Sequence, residues 1–304
     1  MHSGGPIKRE LDSFQGAIAL RLGLRFDDSR SSLLLEVLTR RVAARGQTTR
    51  SYLAALQQGT EPCDELGELA RELTVGETYF FRHADQFKAL MEVALPDRLA
   101  ARASSRSLRL LSAGCASGEE AYSLSILLRQ QGIELDYQVT IQGLDINPDA
   151  LTKATQGLYS PWSLRETPAH LTERWFVKEG RDFRLARALR DSVQFQQHNL
   201  IASSPRLMPD HCYDIVFCRN VLMYFTPGHA ASIVEHLARA LAPGGFLFLG
   251  HAETLRGFSH AFQLRNTHDT FYYQRRGEDG CLDESSHFSA AASAMRSRAE
   301  PTES

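Results

Sequence analysis

The segment from Leu108 to Glu120 constrains the fold more than any other part of the 304-residue chain. It begins with an apolar run, passes through small residues and opens onto a helical pattern. A strand, a tight turn and a helix in this order form the ligand-binding end of open α/β sheets. Gly114 and Gly118 allow a sharp turn and a close approach of the backbone to a ligand. The segment therefore predicts an α/β domain that binds a nucleotide-type ligand at this turn.

Two acidic residues, Glu119 and Glu120, indicate which kind of ligand this is. A phosphate-binding loop would instead present a lysine and free backbone amides to an anion. Carboxylates repel phosphate, but they suit a ligand with positive charge and hydrogen-bond donors, such as the sulfonium and ammonium groups of S-adenosylmethionine. The alternative is an ordinary turn in which the two carboxylates interact with the N-terminus of the following helix. The turn by itself leaves both interpretations open.

The composition narrows the class of protein. An apolar fraction of 43% and a charged fraction of 23% are typical of soluble globular proteins, and a net charge of -2 argues against a dedicated nucleic-acid-binding protein. The five cysteines lack metal-ligand spacing, so we expect reduced thiols and no metal site. Neither a signal peptide nor an apolar run of membrane-spanning length is recognisable. These features predict a cytoplasmic protein that inserts no segment into a membrane.

Residues 1–82 show helical periodicity, for example in the spacing of Leu34, Leu35, Leu38 and Val42. This pattern predicts a small helical N-terminal domain. Arginines outnumber acidic residues between positions 21 and 50. They form either a solvated helix face or a basic surface that docks an acidic partner.

Residues 83–276 are predicted to form the α/β domain, with residues 159–192 as an inserted subdomain and residues 277–304 as a disordered tail. A helix from Phe87 to Leu99, broken at Pro96, is expected to link the two domains. Strands are predicted to begin at positions 108, 138, 193, 213 and 246, and residues 262–264 and 270–273 are predicted to close the sheet as an antiparallel hairpin.

Polar residues follow two of these strands. Asp145 ends the second strand, where Rossmann-like domains hold the hydroxyls of a ribose; alternatively it only caps the helix that starts near Asn147. Arg219, Asn220 and Tyr224 follow the buried strand 213–218 at its carboxyl end, where α/β sheets bind their ligands. These residues are the strongest candidates for a binding site.

Five motifs occur in a fixed order along the chain: Glu77–Arg82, Cys115–Ser123, Asp145–Asn147, Asn199–Leu200 and Phe217–Phe225. In this combination the chain resembles the chemotaxis-receptor protein-glutamate O-methyltransferases, the CheR family, from about residue 10 to residue 273. The resemblance implies a helical N-terminal domain followed by a Rossmann-like S-adenosylmethionine-dependent methyltransferase domain that carries a small β-subdomain. We also expect a monomer.

The resemblance further implies which residues contact the cofactor. They are Gly76, Thr78, Arg82, Gly114, Glu119, Glu120, Asp145, Asn199, Leu200, Arg219 and Asn220. Arg82 and Tyr224 are implied to lie nearest the transferred methyl group as catalytic residues. Some relatives carry Asn at the position of Gly76, so one side-chain contact is missing here. Relatives that grip a receptor's C-terminal peptide have a longer loop around residues 178–183, which argues against such a tether in this chain.

The implied activity is methyl transfer from S-adenosylmethionine to glutamate carboxylates of chemoreceptors, which leaves S-adenosylhomocysteine. A glutamate carboxylate is already ionised at neutral pH, so the reaction requires no general base. The implied partner is the receptor's acidic cytoplasmic helical bundle, with Arg40, Arg41 and Arg45 as docking residues. Two alternatives remain: a module that binds the cofactor without turnover, and a methyltransferase that acts on a small carboxylic acid.

Overall fold

The computed structural model describes residues 4–256, 259–267 and 269–277. The tail predicted from residue 277 onward thus lies, apart from its first residue, outside the described residues. Four helices form the N-terminal helical bundle: α1 (Gly4–Leu22), α2 (Ser31–Arg45), α3 (Thr49–Gln58) and α4 (Glu65–Leu73). Their apolar positions meet in one core that includes Phe14, Ile18, Leu34, Leu56 and Leu69. The periodic spacing predicted these helices because each has one apolar side to bury.

A buried ion network lies inside the bundle. The carboxylate of Glu65 is fully buried and accepts hydrogen bonds from Arg41 at 2.9 and 2.7 Å, from Arg45 at 2.5 Å and from the Tyr52 hydroxyl at 2.6 Å. Burial raises the pKa of Glu65, but hydrogen bonds from Arg41, Tyr52 and Arg45 outweigh this effect and hold it below its ordinary value of 4.5. The network therefore stabilises the charged form of Glu65.

This network corrects the predicted docking surface. The Arg41 side chain is only 10% exposed, and it neutralises Glu65 instead of facing solvent, so its assignment to docking was wrong. Arg45 is 22% exposed and pairs with both Glu65 and Asp64. Arg40 remains 55% exposed, but its guanidinium pairs with Glu72 at 2.6 Å. A buried carboxylate requires cations, and the helix spacing brings these arginines to it.

The connection to the sheet is a continuous helical segment made of α5 (Ala84–Ala89), a π-helical turn (Leu90–Ala94) and α6 (Leu95–Ala101). The predicted break at Pro96 was wrong. The Leu95 amide donates to the Leu90 carbonyl, five residues back, so the hydrogen-bonding pattern widens immediately before the proline. Pro96 then lies in the first turn of α6, where a missing N–H costs little.

The main sheet has seven strands in the order β6-β2-β1-β7-β8-β10-β9. The strands are β1 (Ser107–Ala113), β2 (Gln138–Asp145), β6 (Val193–Gln197), β7 (Tyr213–Cys218), β8 (Leu241–Leu249), β9 (Phe262–Thr267) and β10 (Thr270–Arg275). The first five in spatial order run parallel, and β10 and β9 are antiparallel, as the hairpin prediction required. The strand order reverses between β1 and β7, which is where open α/β sheets bind ligands.

Helices cover both faces of this sheet. The principal ones are α7 (Glu119–Gln130), α9 (Pro148–Gln156) and α12 (Pro227–Ala240), with α8 (Ile133–Asp136) as a short turn. The apolar residues of the sheet and helices form two cores, one of which contains Tyr122 and Phe217 and the other Val216 and Leu237. This mixed α/β architecture confirms the predicted fold class.

The segment after α9 forms a separate three-stranded sheet in the order β3-β5-β4. Its elements are β3 (Leu158–Tyr159), α10 (Ala169–Trp175), β4 (Phe176–Glu179), β5 (Asp182–Leu185) and α11 (Arg187–Arg190). Phe80 packs edge-to-face against Tyr159 and Phe176, with ring centroids 4.8 and 5.0 Å apart. These contacts attach the small sheet to the loop that follows the N-terminal bundle.

No helix in the described ranges is long and apolar enough to cross a membrane.

Candidate active site

The turn after β1 is built around Gly114, which adopts a left-handed backbone with φ of 76°. A Cβ at this position would lie 2.4 Å from a methyl carbon of Val221, so no other residue fits without displacing the segment after β7. The amides of Gly114 and Cys115 donate to the Leu144 carbonyl at 2.7 and 3.0 Å. The turn is therefore tied to both neighbouring strands.

A cavity of about 610 Å³ opens at the carboxyl ends of these strands, between the sheet and the N-terminal bundle. Of the predicted site residues, those that line it are Gly76, Thr78, Arg82, Gly114, Glu120, Asp145, Asn199, Leu200, Arg219, Asn220 and Tyr224. Glu119 is not among the lining residues. Its side chain is buried and accepts hydrogen bonds from Ser117 at 2.8 Å and Ser163 at 3.2 Å, so it ties the turn to the inserted segment.

Asp145 lines the cavity and accepts hydrogen bonds from the amides of Ala116 and Asn147, each at 2.8 Å. Helix α9 is capped by Asn147, whose side chain accepts from Asp149 and Ala150, so the interpretation of Asp145 as the cap was wrong. Burial raises the pKa of Asp145 above its ordinary value of 3.8, although its backbone hydrogen bonds act in the opposite direction. Its charge has no cationic partner among the described residues within ion-pair distance.

Glu120 lies at the start of α7 beside Arg219. The Ser112 hydroxyl donates to Glu120 at 2.7 Å, and the Arg219 Nε lies 3.6 Å from its other oxygen. Burial raises the pKa of Glu120 above 4.5, and the nearby Arg219 charge only partly offsets this effect. The cavity thus holds two carboxylates, Glu120 and Asp145, whose charges are incompletely compensated.

Several polar atoms in the cavity wall are buried without a hydrogen-bond partner among the described residues. They are Arg82 Nε, His198 Nε2, Arg219 Nε and Nη1, and Asn220 Oδ1. Buried polar groups in folded proteins nearly always have partners, and unpaired ones gathered in a cavity are typical of a ligand site. The unpaired donors and acceptors therefore fit a large polar ligand, and the carboxylates of Glu120 and Asp145 favour one that carries positive charge.

Comparison with known proteins identifies this ligand. The family model of the CheR methyltransferase SAM-binding domain matches residues 76–271. The chain belongs to the CheR methyltransferase family. It is therefore an S-adenosylmethionine-dependent methyltransferase, as its motifs predicted.

This CheR-family chain is similar to several individual proteins. Chemotaxis protein methyltransferase 2 of Vibrio cholerae is 32% identical over 258 residues, which are 84% of this chain and 88% of that protein. The probable biofilm formation methyltransferase WspC of Pseudomonas putida is 36% identical over 235 residues, 77% of this chain but only 54% of that protein. The solved magnesium protoporphyrin IX methyltransferase of Synechocystis, with bound S-adenosylmethionine, overlaps 71% of this chain and 92% of its own at 19% identity and a TM-score of 0.34.

The remaining predicted residues of this CheR-family site differ in the contacts that their side chains already make within the protein. Asn199 donates to the Arg21 carbonyl at 2.9 Å and accepts from the Ile201 amide at 3.3 Å, so its side chain already joins the bundle to the cavity wall. A Cβ at Gly76 would meet no described atom within 4 Å, which leaves room for the Asn that some relatives carry. Arg82 donates to the Glu77 carbonyl at 3.0 Å, and Tyr224 is 37% exposed at the cavity wall.

Sequence reasoning included Arg25 and Arg30 only in a general basic surface, and it missed Arg165, which packs against the cavity residue Tyr79. Arg25 and Arg30, exposed on the connection between α1 and α2, line the same cavity as Tyr224. Arg165 stacks between two aromatic rings, with its guanidinium carbon 3.5 Å from the Tyr79 centroid and 3.9 Å from that of Trp162. The arginine excess in residues 21–50 indicated Arg25 and Arg30, but no local pattern indicated the stacking of Arg165.

Among the described residues, no group of three or more His, Cys, Asp or Glu residues is arranged to hold a metal ion.

Proposed function

We propose that this enzyme methylates glutamate side chains on the cytoplasmic helical bundle of a chemoreceptor and releases S-adenosylhomocysteine. The observation that carries the proposal is that Arg82 and Tyr224 line the same cavity as Glu120 and Asp145. The names of the relatives include both chemotaxis and biofilm formation, so the proposal concerns the class of receptor and not the behaviour that it controls. The proposed enzyme is a cytoplasmic monomer with a helical domain at residues 1–82 and a methyltransferase domain at residues 83–276.

The carboxylates of the cavity are proposed to bind the cofactor. Asp145 would accept hydrogen bonds from the ribose hydroxyls, and Glu120 would face donor groups and positive charge. When bound, S-adenosylmethionine supplies a methyl group attached to a positively charged sulfur. Glu120 and Asp145 are partly buried and their pKa values are raised, so a cationic ligand with hydrogen-bond donors would supply compensation that the described residues provide only in part.

Arg82 and Tyr224 are proposed to orient the carboxylate of the substrate. The guanidinium of Arg82 and the hydroxyl of Tyr224 are donors, and correct alignment of the reacting atoms contributes several kcal/mol. Too strong a grip on the carboxylate would stabilise the ground state and slow the transfer. The apolar side chains of Phe87, Val221 and Phe225 line the cavity, and exclusion of water favours a reaction in which opposite charges cancel.

Arg25 and Arg30 are proposed to guide the acidic substrate to the cavity. Their side chains are exposed at its mouth, and neither forms an ion pair within 4 Å with a residue that the structure describes. This assignment replaces Arg41 and Arg45, whose charges are used inside the bundle. Exposed arginines attract an acidic partner over a long range. Asp27, which lines the same cavity and interacts with Arg30, reduces the net charge there, so the proposed effect is small.

The test is transfer of a radiolabelled methyl group from S-adenosylmethionine to receptor-enriched membranes, with free glutamate and small carboxylic acids as competing substrates. We expect alkali-labile methyl esters on the receptor. Labelling of small acids alone would show that the substrate is a small carboxylic acid and not a receptor. Cofactor binding with no labelled product would indicate a binding module.

Tyr224→Phe should lower kcat about fivefold to tenfold, the effect of one lost hydrogen bond, with unchanged cofactor affinity. Tyr137→Phe is the matched control, because the Tyr137 hydroxyl donates to the Leu99 carbonyl away from the cavity.

A further inference from the structure

A single carboxylate organises the backbone beside the proposed methyl-transfer site. Glu253 follows β8 and accepts hydrogen bonds from four backbone amides. Its Oε2 accepts from Asn220 at 2.8 Å and from Gly250 at 2.7 Å. Its Oε1 accepts from Val221 at 2.9 Å and from Met223 at 3.2 Å. Glu253 itself is not among the residues that line the cavity.

Three of these amides belong to the segment of residues 219–225, which forms one wall of the cavity. Asn220 has a left-handed backbone with φ of 56°, a conformation that costs free energy in residues other than glycine. Gly250 provides the space that the arrangement needs, since a Cβ there would lie 2.8 Å from the Asn220 amide and from the Glu253 carboxylate. The hydrogen bonds to Glu253 thus hold a strained turn in place.

The other end of the segment is fixed by the N-terminal bundle. The Arg25 amide donates to the Tyr224 carbonyl at 2.8 Å, and the Thr226 amide donates to the Gly23 carbonyl at 2.9 Å. Leu24 and Phe225 form an antiparallel bridge between the same two segments. Two distant parts of the chain therefore hold residues 219–226, and Glu253 supplies the contacts at the Asn220 end.

We infer that Glu253 is a positioning residue for methyl transfer, acting through the backbone that carries Asn220 and Tyr224. This inference rests on the proposed function, because that function gives Tyr224 its catalytic role. A carboxylate suits the task because it only accepts hydrogen bonds and has two oxygens. A glutamine would present an NH₂ group to two of the four amides and leave them unpaired. The segment would then lose its fixed turn while the apolar packing around it stays intact.

The decisive variant is Glu253→Gln, with Glu235→Gln as the matched control because Glu235 lies exposed on α12. We expect Glu253→Gln to lower kcat for receptor methylation about tenfold to 100-fold, the usual effect of a small misplacement of catalytic groups. KM and the affinity for S-adenosylhomocysteine should change much less. Amide hydrogen exchange at positions 220, 221 and 223 should accelerate in the variant and not in the control.

A double-mutant cycle separates positioning from general stability. If Glu253 acts through Tyr224, the factor by which Glu253→Gln lowers kcat should be smaller in the Tyr224→Phe enzyme than in the wild-type enzyme. Unchanged kcat in a folded Glu253→Gln variant, or fully additive effects, would overturn the inference. Glu253→Asp, which keeps the acid but shortens its reach, should give an intermediate loss and serves if the glutamine variant does not fold. A wild-type enzyme that labels no receptor would contradict the proposed function, whereas the exchange rates test the role of Glu253 separately.

Discussion

Each half of the molecule holds a carboxylate withdrawn from solvent, the fully buried Glu65 and the half-buried Asp145, but their surroundings are opposite. Glu65 in the N-terminal bundle is surrounded by Arg41, Arg45 and the Tyr52 hydroxyl, which hold its pKa below the ordinary value. In the cavity, burial raises the pKa of Asp145, whose described partners are backbone amides. The bundle completes its own charge balance, whereas the cavity does not.

This difference separates a structural site from a ligand site. A buried charge that its own chain compensates contributes to folding, and its removal leaves the partners uncompensated. A buried charge that the chain leaves uncompensated is costly unless a ligand compensates it. The same residue type therefore has a different role in each half, and the surrounding charges decide which.

The largest expected effect is on folding. Glu65→Ala should lower the free energy of unfolding by about 3–5 kcal/mol, because Arg41 loses its two hydrogen bonds to Glu65 and keeps only the 3.2 Å contact to Glu68. Chemical denaturation measures this change. Glu36→Ala is the control. The Glu36 side chain is 68% exposed and its ion pair with Arg40 is long, at 3.8 Å, so its loss should change the free energy of unfolding by less than about 0.5 kcal/mol. Equal effects of the two substitutions would contradict a structural role for the network.

The next effect concerns cofactor binding. Asp145→Ala should weaken the binding of S-adenosylhomocysteine by about 1–3 kcal/mol, because ligand hydroxyls would lose a charged acceptor. Titration calorimetry measures the affinity, and Asp210→Asn, at an exposed position, is the control. Glu65→Ala, where it remains folded, should leave this affinity unchanged. Normal affinity in a folded Asp145→Ala variant would show that Asp145 does not hold the ribose.

The two pKa shifts of opposite sign predict separate effects of acidification. The lowered pKa of Glu65 contributes stability that is present above its ordinary value of 4.5 and is lost as the pH falls through the folded-state pKa. The raised pKa of Asp145 means that this carboxylate binds its proton at a pH above its ordinary value of 3.8, so the affinity for S-adenosylhomocysteine should fall on acidification. Calorimetry over an acid titration tests this fall in affinity, with circular dichroism to show that the protein is still folded. An affinity that stays constant down to acid unfolding would contradict a charged Asp145 as a ligand of the cofactor.

The smallest effect concerns the arginines at the cavity mouth. Replacing Arg25 and Arg30 together by Glu should raise KM for the receptor about twofold to fivefold at low salt, because exposed charges contribute little each. High salt should reduce the difference, since the Debye length falls to about 3 Å at 1 M. Arg50→Glu, at an exposed position on α3, is the control. A salt-independent rise in KM would indicate lost packing instead of lost charge steering.

Local patterns were sufficient where each element depends on its own residues. The apolar run that starts at Leu108 predicted β1, because a strand covered on both faces of the sheet is apolar. The carboxyl ends of the strands then indicated where Asp145, Arg219 and Tyr224 would meet. The predicted break at Pro96 failed because a π-helical turn, stabilised by packing, accommodates the proline.

The sequence by itself determined the order of elements and the α/β class, because these follow from periodicity and from turn residues, and its family motifs indicated the cofactor. Tertiary structure alone decided which charges are free. Arg41 and Glu65 are 24 residues apart, and Glu253 and Asn220 are 33 apart, yet both pairs are in direct contact. Whether an arginine docks a partner or neutralises a buried acid depends on the charges that folding brings beside it, and no local pattern specifies those contacts.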